Sequence, residues 1–256
     1  MNKVKFTLLT AGFVLAMAFT FSCSGDDGKE DGGSSSSTEG GGQVGGSSSS
    51  GGRGDGNSIT YGNDTYPIVV IGTQTWLAKN LNYAVEGSKC YGEGGEVEID
   101  WDDENKIPIT KALSNAEVRA NCDEYGRLYD WSKAMEVCPL GWHLPSNYDW
   151  EVLLDYAGSP EKAGTKLRAK NGWYRNGNNT DQYGFSALPG GSYLGGRFQG
   201  VYSFGAWWSA SEGEGNSDYA YSLGIEDSDE YVHWGSLSDK SSGKSNFFSV
   251  RCVKDN

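Results

Sequence analysis

The segment that decides the fold runs from Gly126 to Leu154 and reads GRLYDWSKAMEVCPLGWHLPSNYDWEVLL. Near its start, helical spacing places four residues on one side of a short helix: Trp131, Ala134, Met135 and Cys138. Pro139 and Gly141 end that helix, and residues 142–144 predict a short strand after them. The segment therefore predicts a helix that ends in a cysteine and leads into a strand.

A second helix follows, and its first residues carry an N-terminal capping signal. Ser146 can accept a hydrogen bond from the amide three residues later, where Asp149 also places negative charge in the first turn. Four apolar residues then form one stripe of this helix: Trp150, Leu153, Leu154 and Ala157. A further cysteine, Cys252, lies in the closing segment SVRCVKDN.

Shorter signals outline the rest of the folded region. Residues 66–71 and 75–77 predict a hairpin around Gly72, and Ser114 with Glu117 predicts a capped helix over residues 115–121. Residues 172–202 combine Gly, Asn, Ser and aromatic residues and predict long loops with short strands. Four further strands are predicted, at residues 185–188, 206–210, 219–225 and 247–253.

Six segments resemble, in order, the Fibrobacter succinogenes major paralogous domain, a family of bacterial surface proteins. They are IGTQTWLAKNLNY (71–83), YGRLYDW (125–131), CPLGWHLPS (138–146), YGFSALPGG (183–191), WWSAS (207–211) and SVRCVKD (249–255). The order of elements also resembles the C-type lectin-like fold. The resemblance runs from about Tyr66 to Asn256. It implies an α+β domain with two main helices and a loop-rich β second half.

Four cysteines lie in the region of resemblance: Cys90, Cys122, Cys138 and Cys252. An even set in an exported protein predicts disulfides, and four cysteines allow three pairings. The resemblance to the lectin-like fold implies a bridge from Cys138 to Cys252 and leaves Cys90 with Cys122. Zinc ligation is the alternative, but the chain has no C-x-x-C pair and only two histidines.

Residues 1–22 have the pattern of a signal peptide. Lys3 and Lys5 precede an apolar run over residues 6–21, which is shorter than the about 20 residues of a spanning helix. Cys23 resembles the acylated cysteine of bacterial lipoproteins, which implies insertion into outer-membrane lipid. The acidic residues that follow, Asp26 and Asp27 among them, resemble an export signal to the cell exterior. The alternative is an ordinary secreted protein in which Cys23 is unmodified.

Residues 23–58 predict a disordered tether between this lipidated cysteine and the folded head. Beyond Cys23 they are almost wholly Gly, Ser, Asp, Glu and Thr, so they cannot bury a core. All nine tryptophans lie after the tether, which places the folded domain at residues 59–256. A flexible chain of this length holds the head away from the lipid surface.

The chain is acidic, with 21 Lys and Arg against 34 Asp and Glu and a net charge of −13. This charge repels phosphate backbones, so nucleic acid is not an expected partner. Near the chain's WWSAS segment four side chains offer oxygen ligands for calcium: Glu212, Glu214, Asn216 and Asp218. The sequence requires neither calcium nor another cofactor.

The sequence predicts a protein that is not an enzyme. It has no G-x-S-x-G motif, and neither His143 nor His233 belongs to a triad pattern. His143 is predicted to be a structural, hydrogen-bonded histidine. The lectin-like fold is shared with formylglycine-generating oxidases, which need reactive cysteines, but the predicted bridges use all four cysteines of the head.

Aromatic residues concentrate in the second half of the domain: Tyr193, Phe198, Tyr202, Phe204, Trp207, Trp208, Tyr219, Tyr221, Tyr231 and Trp234. Exposed rings can stack on sugars, with polar neighbours that bind the hydroxyls. The residues chosen as ligand-binding candidates are Tyr193, Trp207, Trp208, Tyr219, His233 and Trp234. The alternative for each ring is the core, and because Trp207 and Trp208 are adjacent on a strand, one of them is expected to be buried.

These observations favour a surface-exposed outer-membrane lipoprotein whose lectin-like head binds an extracellular ligand. The favoured ligand is a plant cell-wall or cell-surface glycan. The alternative is a protein–protein interaction or structural module of the cell envelope, because loops rich in Tyr, Gly and Ser also suit protein recognition.

Overall fold

The computed structural model describes residues 57–102, 107–175, 178–215, 217–235 and 241–255. All of them belong to one unit, Ser49–Asn256. The predicted signal peptide, Cys23 and nearly all of the tether lie outside the described residues. Within those described ranges, no helix is long and apolar enough to cross a membrane.

The described residues form a mostly β structure with four helices. The helices are α1 (Asn115–Tyr125), α2 (Trp131–Ala134), α3 (Asn147–Ala157) and α4 (Pro160–Leu167). The strands are β1 (Ser58–Tyr61), β2 (Asp64–Ile71), β3 (Gln74–Leu77), β4 (Glu96–Asp102), β5 (Ile107–Ala112), β6 (Leu128–Tyr129), β7 (Trp142–His143), β8 (Gly190–Leu194), β9 (Arg197–Val201), β10 (Phe204–Glu212), β11 (Tyr219–Glu226), β12 (Val232–Trp234), β13 (Ser241–Gly243), β14 (Phe248–Ser249) and β15 (Val253–Lys254).

The strands form two sheets. The smaller sheet has the order β1-β2-β3-β15-β7, so the last strand of the chain pairs between the N-terminal hairpin and β7. The larger sheet has the order β12-β11-β10-β8-β9-β4-β5. Strands β13, β14 and β6 also belong to the larger sheet but lie outside this order. Strand β13 pairs with β11, and β14 pairs with both β10 and β6.

Helix α3 and the β2–β3 hairpin confirm the predictions made for them. The side chain of Ser146 accepts from the amide of Asp149, whose carboxylate accepts in return from the Ser146 amide, and left-handed Gly158 ends the helix. The predicted apolar stripe of α3 is buried in full: Trp150, Leu153, Leu154 and Ala157. Ser114 and Glu117 likewise form the predicted capping box of α1, which extends to Tyr125.

The prediction for the first main helix is wrong in its length. Helix α2 is a single turn that ends at Ala134, so Cys138 lies beyond it and Met135 is 45% exposed. Asp130 caps the turn by accepting from the amide of Lys133. After Ala134 the backbone forms a tighter turn, in which the Glu136 amide donates to the carbonyl of Lys133, three residues back, at 3.0 Å, so the α-helical hydrogen bonding does not continue to Cys138.

The predicted strand at residues 185–188 is absent; this stretch forms one isolated bridge, between Ala187 and Arg168. Ser186 has φ of 51°, which interrupts an extended backbone. Asp181 holds that conformation, because its carboxylate accepts from both the amide and the hydroxyl of Ser186, at 2.8 and 2.6 Å. The predicted strands at 206–210 and 219–225 lie within β10 and β11. The predicted strand at 247–253 is instead divided into two short strands, β14 and β15, which belong to different sheets.

Both disulfides pair as the resemblance implied. Cys138 bonds Cys252 across 114 residues of sequence, and Cys90 bonds Cys122 across 32. The longer bridge joins the segment before Pro139 to the residue that precedes β15. It therefore connects the middle of the domain covalently to the C-terminal strand.

Arg251 forms a buried polar centre where several family-like segments meet. It is 0% exposed, and its guanidinium donates to Asn80 Oδ1 at 2.7 Å and to the carbonyls of Leu77, Phe185 and Ser186. Asn80 Oδ1 also accepts from Trp207 Nε1 at 2.8 Å. Burial lowers the pKa of Arg251 to about 9, with the charge of Asp181 opposing the shift. Arg251 is therefore still charged at neutral pH.

Candidate functional site

The candidate site lies on one face of the larger sheet, and the pairing register sets which side chains reach it. Gly205 pairs with Gly191, Ser192 with Gln199, and Val97 with Phe198. These registers place four residues in one row across β10, β8, β9 and β4: Ala206, Ser192, Gln199 and Glu98. Side chains alternate along a strand. The opposite face accordingly carries Val97 and Phe198, which lie in a separate apolar cluster with Tyr91 and Leu128.

The row lines a cavity of about 390 Å³, which we call the acidic cavity. Its carboxylates are Glu98, Glu226 and Asp227, and its remaining walls include Gln199 and Phe204. Neither a lysine nor an arginine is among the described residues that line it. The charged side chains among the described residues that line the acidic cavity are therefore all carboxylates.

Ser192 lies in the wall of the acidic cavity and has an unmatched hydroxyl. The residue is 0% exposed, and its Oγ has no hydrogen-bond partner among the described residues. Buried polar groups in folded proteins are nearly always hydrogen-bonded. A ligand in the cavity could supply the missing partner.

Phe204 provides the apolar wall of the acidic cavity. It lies directly across from Glu226 in the β10–β11 pair. A Cβ at Gly224 would come within 2.9 Å of the Phe204 ring, so the glycine allows the ring to lie against the backbone of β11. An aromatic ring and a carboxylate therefore sit side by side in the cavity.

A second cavity of about 930 Å³ adjoins the first, and we call it the tyrosine groove. Two tyrosines in its wall are exposed, Tyr174 by 81% and Tyr202 by 52%. The Tyr174 amide donates to the Tyr202 carbonyl at 2.7 Å, which holds the two residues together. The groove shares Glu98, Gly200 and Ser203 with the acidic cavity. The two cavities are thus neighbouring parts of one site.

Tyr202 is held in a conformation that is uncommon for a residue with a side chain. Its φ is 72°, in the left-handed region, and such outliers cluster at functional sites. The Tyr202 amide donates to the Pro189 carbonyl at 3.1 Å, and its ring packs edge-on against Tyr125. Burial raises the pKa of Tyr125 to about 12, and Tyr202 adds to that shift. These contacts hold Tyr202 in place while leaving half of its surface exposed.

Arg168 fixes the acidic segment that forms one wall of the cavity. Arg168 is 4% exposed, and its guanidinium donates to the carbonyls of Glu226 and Asp229 and to Asn179 Oδ1. Burial lowers the pKa of Arg168, whereas the charges of Asp229, Asp227 and Glu230 oppose the shift. Arg168 therefore orders residues 226–229 through their backbone carbonyls, and its charge also acts on the lining carboxylate Asp227.

Two of the predicted ligand-binding residues are core residues, which corrects the prediction. Trp207 is 1% exposed and Trp208 is 0% exposed. Strand β10 runs between two hydrophobic cores, so adjacent residues point into different cores and both are covered. Trp208 Nε1 donates to the Tyr129 carbonyl at 2.7 Å. The prediction that one of the pair would be buried therefore holds for both.

The other four predicted binding residues do not line the acidic cavity or the tyrosine groove. Tyr193 packs between Phe198 and Phe247. Tyr219 is 42% exposed, and His233 Nε2 lies 3.3 Å from Asp229 Oδ2. Trp234 packs against the hydrophobic core that contains Trp207. The structure does not bring these residues together into one site.

Three of the residues suggested as calcium ligands, Glu212, Glu214 and Asp218, lie at the end of β10 and in the turns that follow. Glu212 Oε1 accepts from Lys244 Nζ at 2.5 Å, so a cation there would compete with the lysine. Asn216 lies outside the described residues. Within the described part of the chain, no cluster of three or more His, Cys, Asp or Glu side chains could hold a metal ion.

His143 is hydrogen-bonded, as predicted. Its Nδ1 lies 2.7 Å from Asp255 Oδ1, and its Nε2 lies 3.5 Å from Asp149 Oδ2. It therefore ties β7 to α3 and to the end of the chain.

Sequence reasoning missed Glu98, Tyr174 and Ser192 as site residues. For Glu98 a signal was present: residues 96–102 read EVEIDWD, in which polar and apolar residues alternate as in a strand with one exposed face. Tyr174 and Ser192 carried no local signal. Their roles depend on pairing between strands that are far apart in the sequence.

Comparison with known proteins places the chain in a family. The family model described as Fibrobacter succinogenes major domain matches residues 69–254. The chain belongs to this family. No curated protein and no solved structure gives a significant match. The Fibrobacter succinogenes major domain assignment confirms the resemblance carried by the six segments, and it names no ligand.

Proposed function

We propose that this Fibrobacter succinogenes major domain protein binds an extracellular glycan in the tyrosine groove and the acidic cavity. The observation that carries the proposal is the pair of exposed rings, Tyr174 and Tyr202, beside a cavity lined with carboxylates and an amide. Aromatic faces stack on the C–H faces of sugars, and polar groups nearby bind the hydroxyls. A plant cell-wall or cell-surface polysaccharide fits this combination.

The proposal includes a C-type lectin-like fold for the head. It is supported by the long bridge between Cys138 and Cys252, by the strand β7 that leads into α3, and by the β-rich second half of the domain. Lectin-like heads bind ligands through exposed side chains on loops and strand ends, which the rigid elements of the fold hold in position. The turn that carries Tyr202 is such a position.

The proposal also places the head on the outer face of the outer membrane. Its support is the sequence: an apolar leader, Cys23 as the acylated residue, and the tether of residues 23–58. Acyl chains on Cys23 would insert into lipid, and the tether would let the head reach an external polysaccharide.

In this proposal the head is a binding module and not an oxidase related to the formylglycine-generating enzymes. All four cysteines of the described region are in disulfides, Cys90 with Cys122 and Cys138 with Cys252. A disulfide-bonded cysteine offers no thiolate for metal binding or nucleophilic attack.

Retention of the full-length protein on insoluble cellulose, xylan, pectin and chitosan tests the proposal. We expect the wild type to bind at least one of them. The double variant Tyr174→Ala with Tyr202→Ala should bind at least about tenfold more weakly, because losing an aromatic contact of about 1.4 kcal/mol lowers the affinity by a factor of ten. Tyr148→Ala with Tyr219→Ala, two exposed tyrosines elsewhere, is the matched control. Wild type that binds none of the four would contradict the proposal and favour protein–protein recognition.

A further inference from the structure

We propose that the acidic cavity binds the protonated amino group of an amino sugar, an inference that rests on the glycan-binding function proposed above and names the sugar it selects. The neighbouring units of the same oligosaccharide then lie along the tyrosine groove. The cavity thereby distinguishes a glucosamine unit from glucose, from N-acetylglucosamine and from a uronic acid. Of the two glycan classes proposed above, the inference therefore selects a cell-surface glycan that contains glucosamine over cellulose, a glucose polymer, and pectin, a uronic acid polymer.

The charge of the acidic cavity is the first support. Glu98, Glu226 and Asp227 line it, with no lysine or arginine among the described lining residues. Clefts lined by one sign of charge focus the field and concentrate ligands of the opposite sign. A cationic ligand is therefore favoured, and the carboxylate of a uronic acid is repelled.

The hydrogen-bonding chemistry of the cavity is the second support. Carboxylates only accept, and an ammonium group carries three donors and no acceptor. Ser192 Oγ is buried, lacks a partner among the described residues, and lies in the same row as Gln199 and Glu98. An ammonium group in the cavity would donate to Ser192 Oγ as well as to the carboxylates.

The neighbouring surfaces favour a sugar over a bare cation or a lysine side chain. Phe204 lines the cavity next to Glu226, where its ring can pack on a pyranose face. The cavity opens beside Tyr174 and Tyr202, which extend the same stacking surface to adjoining sugar units. An extended amino glycan uses both parts of the site, whereas a metal ion or a single lysine uses one.

Titration calorimetry of the full-length protein with three oligosaccharides of equal length tests the inference: glucosamine, N-acetylglucosamine and glucose oligomers, at mildly acidic pH. We expect the glucosamine oligomer to bind at least about tenfold more tightly than the other two, as charge-assisted hydrogen bonds are roughly twice as strong as neutral ones. Added salt should reduce this preference, because screening weakens attraction between charges.

Two variants test the residues. Glu226→Gln with Asp227→Asn removes two charges and nearly preserves shape, so it should abolish the preference for glucosamine. Ser192→Ala should reduce it several-fold. Glu151→Gln with Asp155→Asn, two exposed carboxylates on α3, is the matched control and should keep the preference. Circular dichroism checks that each variant is folded.

The outcomes separate this inference from the glycan-binding function. Equal binding of the three oligomers by the wild type would overturn the amino-sugar assignment and leave glycan binding standing. A preference for glucosamine that survives the change at Glu226 and Asp227 would also overturn it. Binding of none of the oligomers would overturn both proposals. Tighter binding of a lysine-rich peptide than of the glucosamine oligomer would overturn the choice of a sugar as the ligand.

Discussion

Arg251 shows how the fold accommodates a fully buried charge that forms no ion pair with a carboxylate of the described residues. Its N–H groups donate to Asn80 Oδ1 and to three backbone carbonyls, and its guanidinium lies 4.4 Å from the centre of the Phe185 ring. Burying a charge is costly unless hydrogen bonds satisfy it. Asn80 is central because its amide oxygen also accepts from Trp207 Nε1.

Substitution of Asn80 tests this arrangement. Asn80→Ala leaves the buried guanidinium and the Trp207 N–H short of an acceptor, so we expect it to lower the free energy of unfolding by about 3–5 kcal/mol. Asn82→Ala is the control, because Asn82 is half-buried and its Nδ2 donates to Asp64; we expect a cost of about 1 kcal/mol. Urea denaturation measures both. Equal costs would show that Asn80 does not anchor Arg251.

The burial of both Trp207 and Trp208 could not be predicted from the residues around them. Their adjacency correctly predicts that they point in opposite directions on β10. Whether each side is covered depends on what packs there, and helix α3 and strand β14 arrive from distant parts of the chain. Local sequence therefore could not distinguish a core tryptophan from a binding one.

Among the elements, α1 offers a test through its capping box. The amide and hydroxyl of Ser114 and the side chain of Lys111 all donate to Glu117, which lowers the pKa of the Glu117 carboxyl. A carboxyl with a lowered folded-state pKa stabilises the protein above its unfolded-state pKa, about 4.3, and that contribution is lost as the pH falls through the folded-state pKa.

Glu117→Gln should therefore be less stable than the wild type at neutral pH, and the difference should shrink in acid. Glu124→Gln, at an exposed glutamate on the same helix, is the control. Thermal unfolding of the three proteins from neutral pH to below pH 4 measures the effect. A difference between wild type and Glu117→Gln that stays constant across this range would contradict the assigned ionic role.

Elements with complete local signals were predictable, and those that depend on distant partners were not. Helix α3 has its cap, its stripe and its terminating glycine within thirteen residues, 146–158. The stretch 185–188 has the composition of a strand, but hydrogen bonds from Asp181 hold Ser186 at a positive φ. The parallel pairing of β4 with β9, which brings Glu98 to the site, has no local signal.

For the whole molecule, the two disulfides contribute unequally. A disulfide stabilises the folded state by reducing the entropy of the unfolded chain, and the effect grows with the length of the closed loop. In the chain-entropy relation this stabilisation is about 5 kcal/mol for the loop of 114 residues and about 4 kcal/mol for the loop of 32 residues. We expect Cys138→Ala with Cys252→Ala to lower the free energy of unfolding by about 1 kcal/mol more than Cys90→Ala with Cys122→Ala. Urea denaturation compares the pairs, and a larger loss from the shorter loop would contradict this ranking.

The six family-like segments and the candidate site occupy different parts of the molecule. Four of the segments meet at the buried centre through Asn80, Phe185, Trp207 and Arg251. Tyr174, Ser192 and Tyr202 lie outside all six segments. The motifs therefore predict the framework of the domain, whereas the site arises from the curvature and register of the larger sheet.

Hydroxyl-radical footprinting of the tyrosines, with and without a saturating oligosaccharide, tests most directly whether a glycan occupies this site. It uses the full-length protein and a glycan that retains it. We predict that the ligand protects Tyr174 and Tyr202 from oxidation and leaves Tyr148 and Tyr219 unchanged. Protection of Tyr148 or Tyr219 with no change at Tyr174 and Tyr202 would contradict the account.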